Sequence, residues 1–383
     1  MPIQVNASFW ETKSFFSHYD VIIIGGGLVG LRTAILLFER REDLKIAVLE
    51  RGMIPTGAST RNAGFACFGS ISELMGDLKT MSEDQVKELI AMRKSGLDKL
   101  KSLVKDQDMD YQQFGGFEYF LPGQETVYQS CVDHIDYFNK LVFDATGLVN
   151  TYSVVDSGEV GLNADLPFIK NAYEGQLDPA KMIKALMYKA SQGATVFFGA
   201  DVLHIDESPN QVSVQLTDAR HLTCDTLIHA TNGFTKHLSD LTDINPVRNQ
   251  VFVTNKIVNL PWKGCFHVDE GYIYFRNIGN RILIGGARNR FINEDVGSFG
   301  ITDEVEKFLK GFIEIHLNIT DPIQFEHKWS GILAVGSQKK PIIKQHSKRQ
   351  FIGVRMGGMG IAIGSLVGTE LANLVLDQQQ LNA

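Results

Sequence analysis

Gly25, Gly27 and Gly30, with Glu50 twenty positions past the last of them, make a set that can hold a dinucleotide. The three glycines differ in what they permit. Gly25 makes a tight turn, Gly27 lets a pyrophosphate reach the backbone, and Gly30 lets a helix pack close to a strand. Glu50 stands where a carboxylate accepts hydrogen bonds from ribose hydroxyls, with Arg51 beside it. This chemistry needs a strand, a turn and a helix in register. Val21 to Ile24 is the predicted buried strand, and a helix from Leu28 to about Arg41 follows. The first helical residues, Leu28 and Val29, present a positive helix end to the phosphates. A second apolar run, Lys45 to Glu50, carries the acid.

The chain has 383 residues, which suits two domains or an interleaved pair. A hydrophobic share of 44% and a charged share of 21% are ordinary for a globular protein. The net charge of −7 leaves no basic surplus for phosphates, so no nucleic-acid partner is expected. The start of the chain shows no cationic segment followed by an apolar stretch. Polar residues interrupt the apolar run Ile361 to Leu376, and no membrane span is expected. Cys67, Cys131, Cys224 and Cys265 are scattered without ligand spacing. They read as reduced thiols of a cytoplasmic protein, with no metal site.

Residues 1–19 read as a leader anchored by Phe9, Trp10, Phe15 and Phe16. Helical periodicity runs from Ser72 to Lys105, a strand from Phe117 to Leu121, and a further helical stretch from Glu125 to Asp144. Asp178-Pro179-Ala180 is a helix start with Asp as N-cap, leading to a strand at Ala194 to Phe198 that reads as buried. Strands at Val202 to Ile205 and Val212 to Leu216 follow. The βαβ rhythm thus returns after a long interval of different character, so one domain is inserted in another. Residues 1–75, 172–240 and 325–383 are expected to bind the dinucleotide, and 76–171 with 241–324 to bind substrate.

Four further segments, taken with the glycine fingerprint, resemble the D-amino acid oxidase superfamily of FAD-dependent oxidoreductases, which includes glycine, sarcosine and gamma-glutamylputrescine oxidases. Gly57-Ala-Ser-Thr-Arg-Asn-Ala-Gly-Phe65 is similar to the family loop after the ribose acid. Ser59, Thr60, Arg61 and Asn62 there offer donors, and Ala63 and Gly64 allow close backbone approach. Leu222 to Gly233 resembles a strand and turn passing the bound dinucleotide through Ala230, Thr231, Asn232 and Gly233. Gly271 to Arg276 and Arg281 to Arg288 resemble a hairpin of the substrate domain. Gly353 to Gly364 resembles a C-terminal loop and helix whose amino end faces the flavin pyrimidine ring, through Gly358, Met359, Gly360, Ile361 and Ala362. The resemblance implies an α/β fold: a Rossmann-like FAD-binding domain with an interleaved α+β substrate domain on a mostly antiparallel sheet. Val202 joins the implied cofactor set, and Tyr274, Arg276, Phe65, Leu333 and Met359 are the pocket candidates.

The chain departs from the family at telling positions. Leu333 matches an arginine that grips a substrate carboxylate, Gln338 a frequent aspartate, Ala362 a lysine near the flavin, and Gly331 the cysteine that links flavin covalently in sarcosine oxidases. A leucine cannot do the work of a guanidinium fork. Either the substrate is an amine without an adjacent carboxylate, or Arg276 or Arg288 holds that group. The resemblance implies non-covalent FAD and oxidation of a CH–NH bond in a small amine or amino acid, with O2 or another molecule as acceptor. Oxidation of a 2-hydroxy acid or polyol phosphate, and a non-catalytic FAD-fold binding protein, are the alternatives. The sequence leaves substrate, acceptor and oligomeric state open, and His229 and His267 read as structural.

Overall fold

In the computed structural model, which describes residues 7–292 and 297–381, the two apolar runs are adjacent parallel strands, Tyr19–Ile24 and Ile46–Glu50. Ile46–Glu50 is buried throughout, and in Tyr19–Ile24 only Asp20 is partly exposed. Such strands read as continuous apolar runs because both faces of a parallel sheet are covered. The sheet runs Ile342–Gln345, Gln350–Val354, His221–His229, Tyr19–Ile24, Ile46–Glu50, Ala194–Phe198, with Val212–Leu216 and Val202–Glu207 attached beside His221–His229. From Gln350–Val354 to Ala194–Phe198 all pairings are parallel. The strand order reverses between Tyr19–Ile24 and His221–His229, the kind of position where open α/β sheets bind ligands. Ala194–Phe198 ends the row, so it is half-exposed and not the buried strand its composition suggests.

A second sheet runs Phe325–Val335, Asn245–Thr254, Arg281–Gly286, Ile273–Ile278, Cys265–Val268, Gly116–Glu118, Phe168–Asn171, Tyr152–Val155. It is antiparallel except where Cys265–Val268 meets Gly116–Glu118. Aromatic rings fill its core: Phe266 and Phe275 stack with centroids 4.6 Å apart, and Trp262 meets both edge-on. Phe325–Val335, expected on the dinucleotide side, belongs here, because it pairs along the whole of Asn245–Thr254.

The inserted helices also depart from expectation. The periodic stretch from Ser72 divides into Ile71–Leu78 and Glu83–Leu103, each with a serine N-cap, Ser70 and Ser82. The stretch from Glu125 divides into Glu125–Asp133 and Ile135–Thr146. Val86, Ile90, Leu97 and Leu100 share one core with Leu28, Leu31 and Ile35. Part of segment 76–171 therefore packs on the dinucleotide layer, and only its short strands join the second sheet. Asp178 caps Pro179–Ala190 as expected, accepting from the Ala180 and Lys181 amides. The leader is less tightly held than its aromatic content suggests. Residues 1–6 lie outside the described residues, and helix Phe9–Ser14 buries none of its residues. Phe9, Trp10 and Phe15 are exposed, and Phe16 alone of the four packs inward, stacking on Phe197.

The C-terminal helix Gly360–Leu381 is continuous through its polar residues. By length and composition Gly360–Gln378 could cross a membrane, but 67% of it is buried inside the protein. Nor is it amphipathic: Ala362, Ile363, Val367, Leu371, Ala372 and Val375 are all buried. It lies between helices Leu28–Arg40 and Glu83–Leu103 at very short range. A Cβ on Gly368 would stand 2.7 Å from the Val29 carbonyl oxygen, and one on Gly96 would stand 2.1 Å from the Ala362 carbonyl oxygen. Neither backbone atom can move without moving a helix. Gly96→Val is therefore expected to lower stability by about 1–3 kcal/mol through overpacking, read as a shift in the denaturant midpoint; an unchanged midpoint would contradict this packing.

Candidate functional site

The carboxyl ends of the parallel strands open into a cavity of about 700 Å³ that reaches the second sheet. At one end Glu50 is held by two backbone amides: Gly26 N donates to Oε2 at 3.1 Å and Gly52 N to Oε1 at 3.0 Å. Burial raises the Glu50 pKa, while these amides and Arg51 oppose the shift. Gly25, with φ of +111°, turns the chain under the Ala230 carbonyl, which a side chain would strike. Gly27 caps the helix without a side chain of its own. Ser59 Oγ accepts from Leu28 N at 3.0 Å, which docks the 57–64 loop on the helix end and leaves the Ser59 hydroxyl proton free to donate elsewhere.

Gly25, Gly27, Leu28, Val29, Glu50, Arg51, Ser59, Arg61, Asn62, Ala63 and Val202 line this cavity. So do Ala230, Thr231 and Asn232, and, on the opposite side, Gly358, Met359, Gly360 and Ile361. The turn at 230–233 is tied to the C-terminal glycine segment by Asn232, whose Oδ1 accepts from Arg355 N at 3.0 Å. A cradle of close-approach glycines, an oriented buried acid and two helix amino ends suits a dinucleotide.

Other residues of the expected set act behind the wall. Gly30 packs on Gly25, Gly233 on Leu333, and Ala362 on Gly96. Thr60 Oγ1 donates to Pro55 O. Asn62 reaches the wall, but its amide is spent on the loop, donating to Ala58 O and Ser59 O and accepting from Gly64 N. Gly64 is left-handed and sits against Leu177 O and Arg276. Thr60, Asn62 and Gly64 thus shape the loop, and Gly30, Thr60, Gly64, Gly233 and Ala362 do not line the cavity.

Toward the second sheet Phe65, Asn249, Val251, Tyr272, Tyr274 and Arg288 come together, and Leu333 and Met359 also line the cavity. Asn249 Nδ2 donates to Tyr274 Oη at 3.1 Å, and burial keeps the Tyr274 phenol protonated far above its usual range. Arg288 lies with Cζ 5.3 Å from the Tyr272 ring centroid. Arg276 is different: its Nε donates to Ala63 O at 2.6 Å and its Nη2 to Leu177 O at 3.1 Å. It is buried outside the cavity lining, so of the two arginines offered for a substrate carboxylate only Arg288 faces the space.

A charged wall has no counterpart in the sequence patterns. Glu73 is paired with Arg93 at 3.0 Å and Lys339 at 3.2 Å, and Lys339 also meets Asp77. Glu73, Arg93, Lys339 and His267 all line the cavity. These residues come from four separate stretches with no shared motif, so only the folded chain unites them. His229 is buried, with Nε2 2.8 Å from Gln350 Oε1, and desolvation lowers its pKa, as a structural histidine requires. His267 faces Phe65 edge-on and stands 3.4 Å from Glu174. Burial disfavours its cation, but the Glu174 carboxylate, together with Cys265 and Glu73, outweighs burial and raises its pKa to about 9. Glu174 is itself fixed by the Phe68 and Gly69 amides.

Because the folded-state value exceeds that of free imidazole, about 6.5, this pair stabilises the fold fully below that pH. The contribution is lost as the pH rises through about 9. Denaturant unfolding should accordingly show wild type gaining on His267→Gln at pH 6 and the gap narrowing by pH 10. A constant gap would show that His267 is not held as a cation.

Residues 20–374 match the FAD dependent oxidoreductase (DAO) family. Among curated proteins the chain is 24% identical to hydrogen cyanide synthase subunit HcnC of Pseudomonas protegens, covering 85% of this chain and 84% of that protein. It is 22% identical to glycine oxidase of Geobacillus kaustophilus, covering 93% of each. Among solved structures it superposes on glycine oxidase from Geobacillus kaustophilus with a TM-score of 0.74 at 19% identity, over 94% of this chain and 95% of that one. On L-proline dehydrogenase from P. horikoshii the TM-score is 0.75 at 16% identity, over 95% and 94%. With the cradle and its glycine clusters in the expected places, the chain belongs to the DAO family of FAD-dependent oxidoreductases.

Proposed function

We propose that this chain oxidises the CH–NH bond of a small amino acid or amine, with non-covalently held FAD and with dioxygen as final acceptor, giving hydrogen peroxide. The observation that carries the reading is Arg288, stacked on Tyr272 at the end of the cavity away from Glu50. It is a guanidinium lining the same cavity as Leu333, the position that the family resemblance matches to a carboxylate-gripping arginine. When bound, FAD supplies a two-electron acceptor for the hydride leaving the carbon next to nitrogen.

The chain's own residues bind and position. With FAD bound, Glu50 would accept from the ribose hydroxyls, the backbone at Gly27 and Val29 would face the pyrophosphate beside the Ser59 hydroxyl that takes the Leu28 amide, and the helix beginning at Gly360 would lend its positive end to the charge that develops on the pyrimidine side. Arg288 grips a carboxylate, and Tyr272, Tyr274, Phe65 and Met359 form the walls that exclude water. Tyr274 stays protonated, and His267 is a cation below about pH 9. Neither is set up as a base in the neutral range. Substrate is taken with its nitrogen neutral, and the cationic His267 disfavours an ammonium nearby. The product imine hydrolyses to a carbonyl compound and an amine.

Two further features support non-covalent FAD and a cytoplasmic setting. Cys67 is the cysteine that lines the cavity among the described residues, and burial raises its thiol pKa well above the ordinary value, which leaves it unreactive. All four cysteines are free and buried, as suits a reducing compartment.

Arg288→Ala tests the assignment. For an α-amino acid that reduces the flavin, kcat/KM should fall roughly 100-fold, the scale of about 2.7 kcal/mol for losing a charge-paired hydrogen bond. The amine lacking that carboxylate should change by less than about threefold. Equal effects on both would remove Arg288 as the carboxylate site.

A further inference from the structure

Arg51 and Arg61 both line the cavity near the amino end of helix Leu28–Arg40. Arg51 follows the ribose acid, and Arg61 lies in the loop that Ser59 docks on Leu28. Among the described residues neither guanidinium has a carboxylate within ion-pair distance; each rests against an aromatic face, and Arg61 Nη1 also donates to Ser330 O. Arg51 Cζ is 3.8 Å from the Phe234 centroid, and Arg61 Cζ is 4.9 Å from that of Phe299. The two rings face one another at 6.1 Å, tilted by 39°. The four groups form one row: Arg51, Phe234, Phe299, Arg61.

This row joins two parts of the molecule. Phe234 sits in the turn after His221–His229, on the dinucleotide side. Phe299 comes from the segment pinned to the second sheet, where Gly300 N donates to Ser330 Oγ at 3.0 Å and Thr302 N to Gln250 Oε1 at 2.9 Å. Arg61 is braced on the same sheet, since its Nη1 donates to Ser330 O at 3.0 Å and its carbonyl accepts from Trp329 Nε1 at 2.9 Å. Two cations flanking a helix amino end match a dianion, and the pyrophosphate of FAD is one. A guanidinium resting on a ring keeps its charge unneutralised and its plane fixed.

We propose that Phe234 and Phe299 form a clasp between the two sheets that holds Arg51 and Arg61 toward the FAD pyrophosphate, so that Phe299, which lines no part of the cavity, governs how long FAD stays bound. It is a positioning residue acting through Arg61.

The test is the rate of FAD release from the full-length holoprotein, followed by the rise in flavin fluorescence after dilution, with thermal melts to check folding. Phe299→Ala and Phe299→Leu should release FAD about tenfold faster than wild type, and Phe299→Tyr, which keeps the ring, within about twofold. Should the alanine variant fail to fold, the leucine and tyrosine variants carry the comparison. A leucine variant as slow as wild type would overturn the proposal, because apolar bulk without a ring would then suffice. Equal rates in all variants would overturn it as well. The readout needs no substrate, so it stands apart from the assignment of amine oxidation.

Discussion

The structure rests on the close contact between helices Leu28–Arg40 and Gly360–Leu381. Their axes approach until a Gly368 Cβ would strike the Val29 carbonyl and a Gly364 Cβ would strike Leu28. Because both helices start at the cavity, this contact brings two positive helix ends, separated by more than three hundred residues of chain, to one cavity. Helix Glu83–Leu103 closes on the other side through Gly96. A shift in any of the three would move the helix ends that line the cavity, so the packing core and the cavity wall are one feature.

Around that contact the charged groups are arranged by burial. Glu50 is kept in place by backbone amides, Glu73 by Arg93 and Lys339, and Glu174 by two amides and His267. Buried charges of this kind are tolerated only when paired. Their partners come from both layers: Lys339 follows the strand Phe325–Val335, whereas Glu73 and Asp77 lie on helix Ile71–Leu78. The pairing fixes helix Ile71–Leu78 to the segment that follows Phe325–Val335 at the cavity wall.

The cofactor half is legible in the sequence because its elements are local. A strand, a turn and a helix within thirty residues leave a pattern of glycines and one acid, and Asp178-Pro179 announces its helix in three residues. The part of the cavity built on the second sheet is not legible, because its residues meet only through long-range pairing. Arg276 and Arg288 look equivalent on a hairpin, yet Arg276 turns inward to the Ala63 and Leu177 carbonyls. His267 reads as structural, but its ion pair is not legible, because its partner Glu174 is nearly a hundred positions away. Strand Phe325–Val335 reads as part of the other layer, since nothing in its own residues shows that it pairs with Asn245–Thr254. The leader aromatics mislead for the opposite reason: Phe9 and Trp10 have anchor-like side chains but stay exposed.

Presentation of a carbon–nitrogen bond to FAD at the far end of this cavity is tested most directly by anaerobic mixing of the purified holoprotein with amines, amino acids and 2-hydroxy acids while flavin absorbance is recorded. Bleaching is expected with an amine or amino acid and not with the hydroxy acid of the same carbon skeleton. Bleaching by hydroxy acids alone, with amines and amino acids inert, would contradict it.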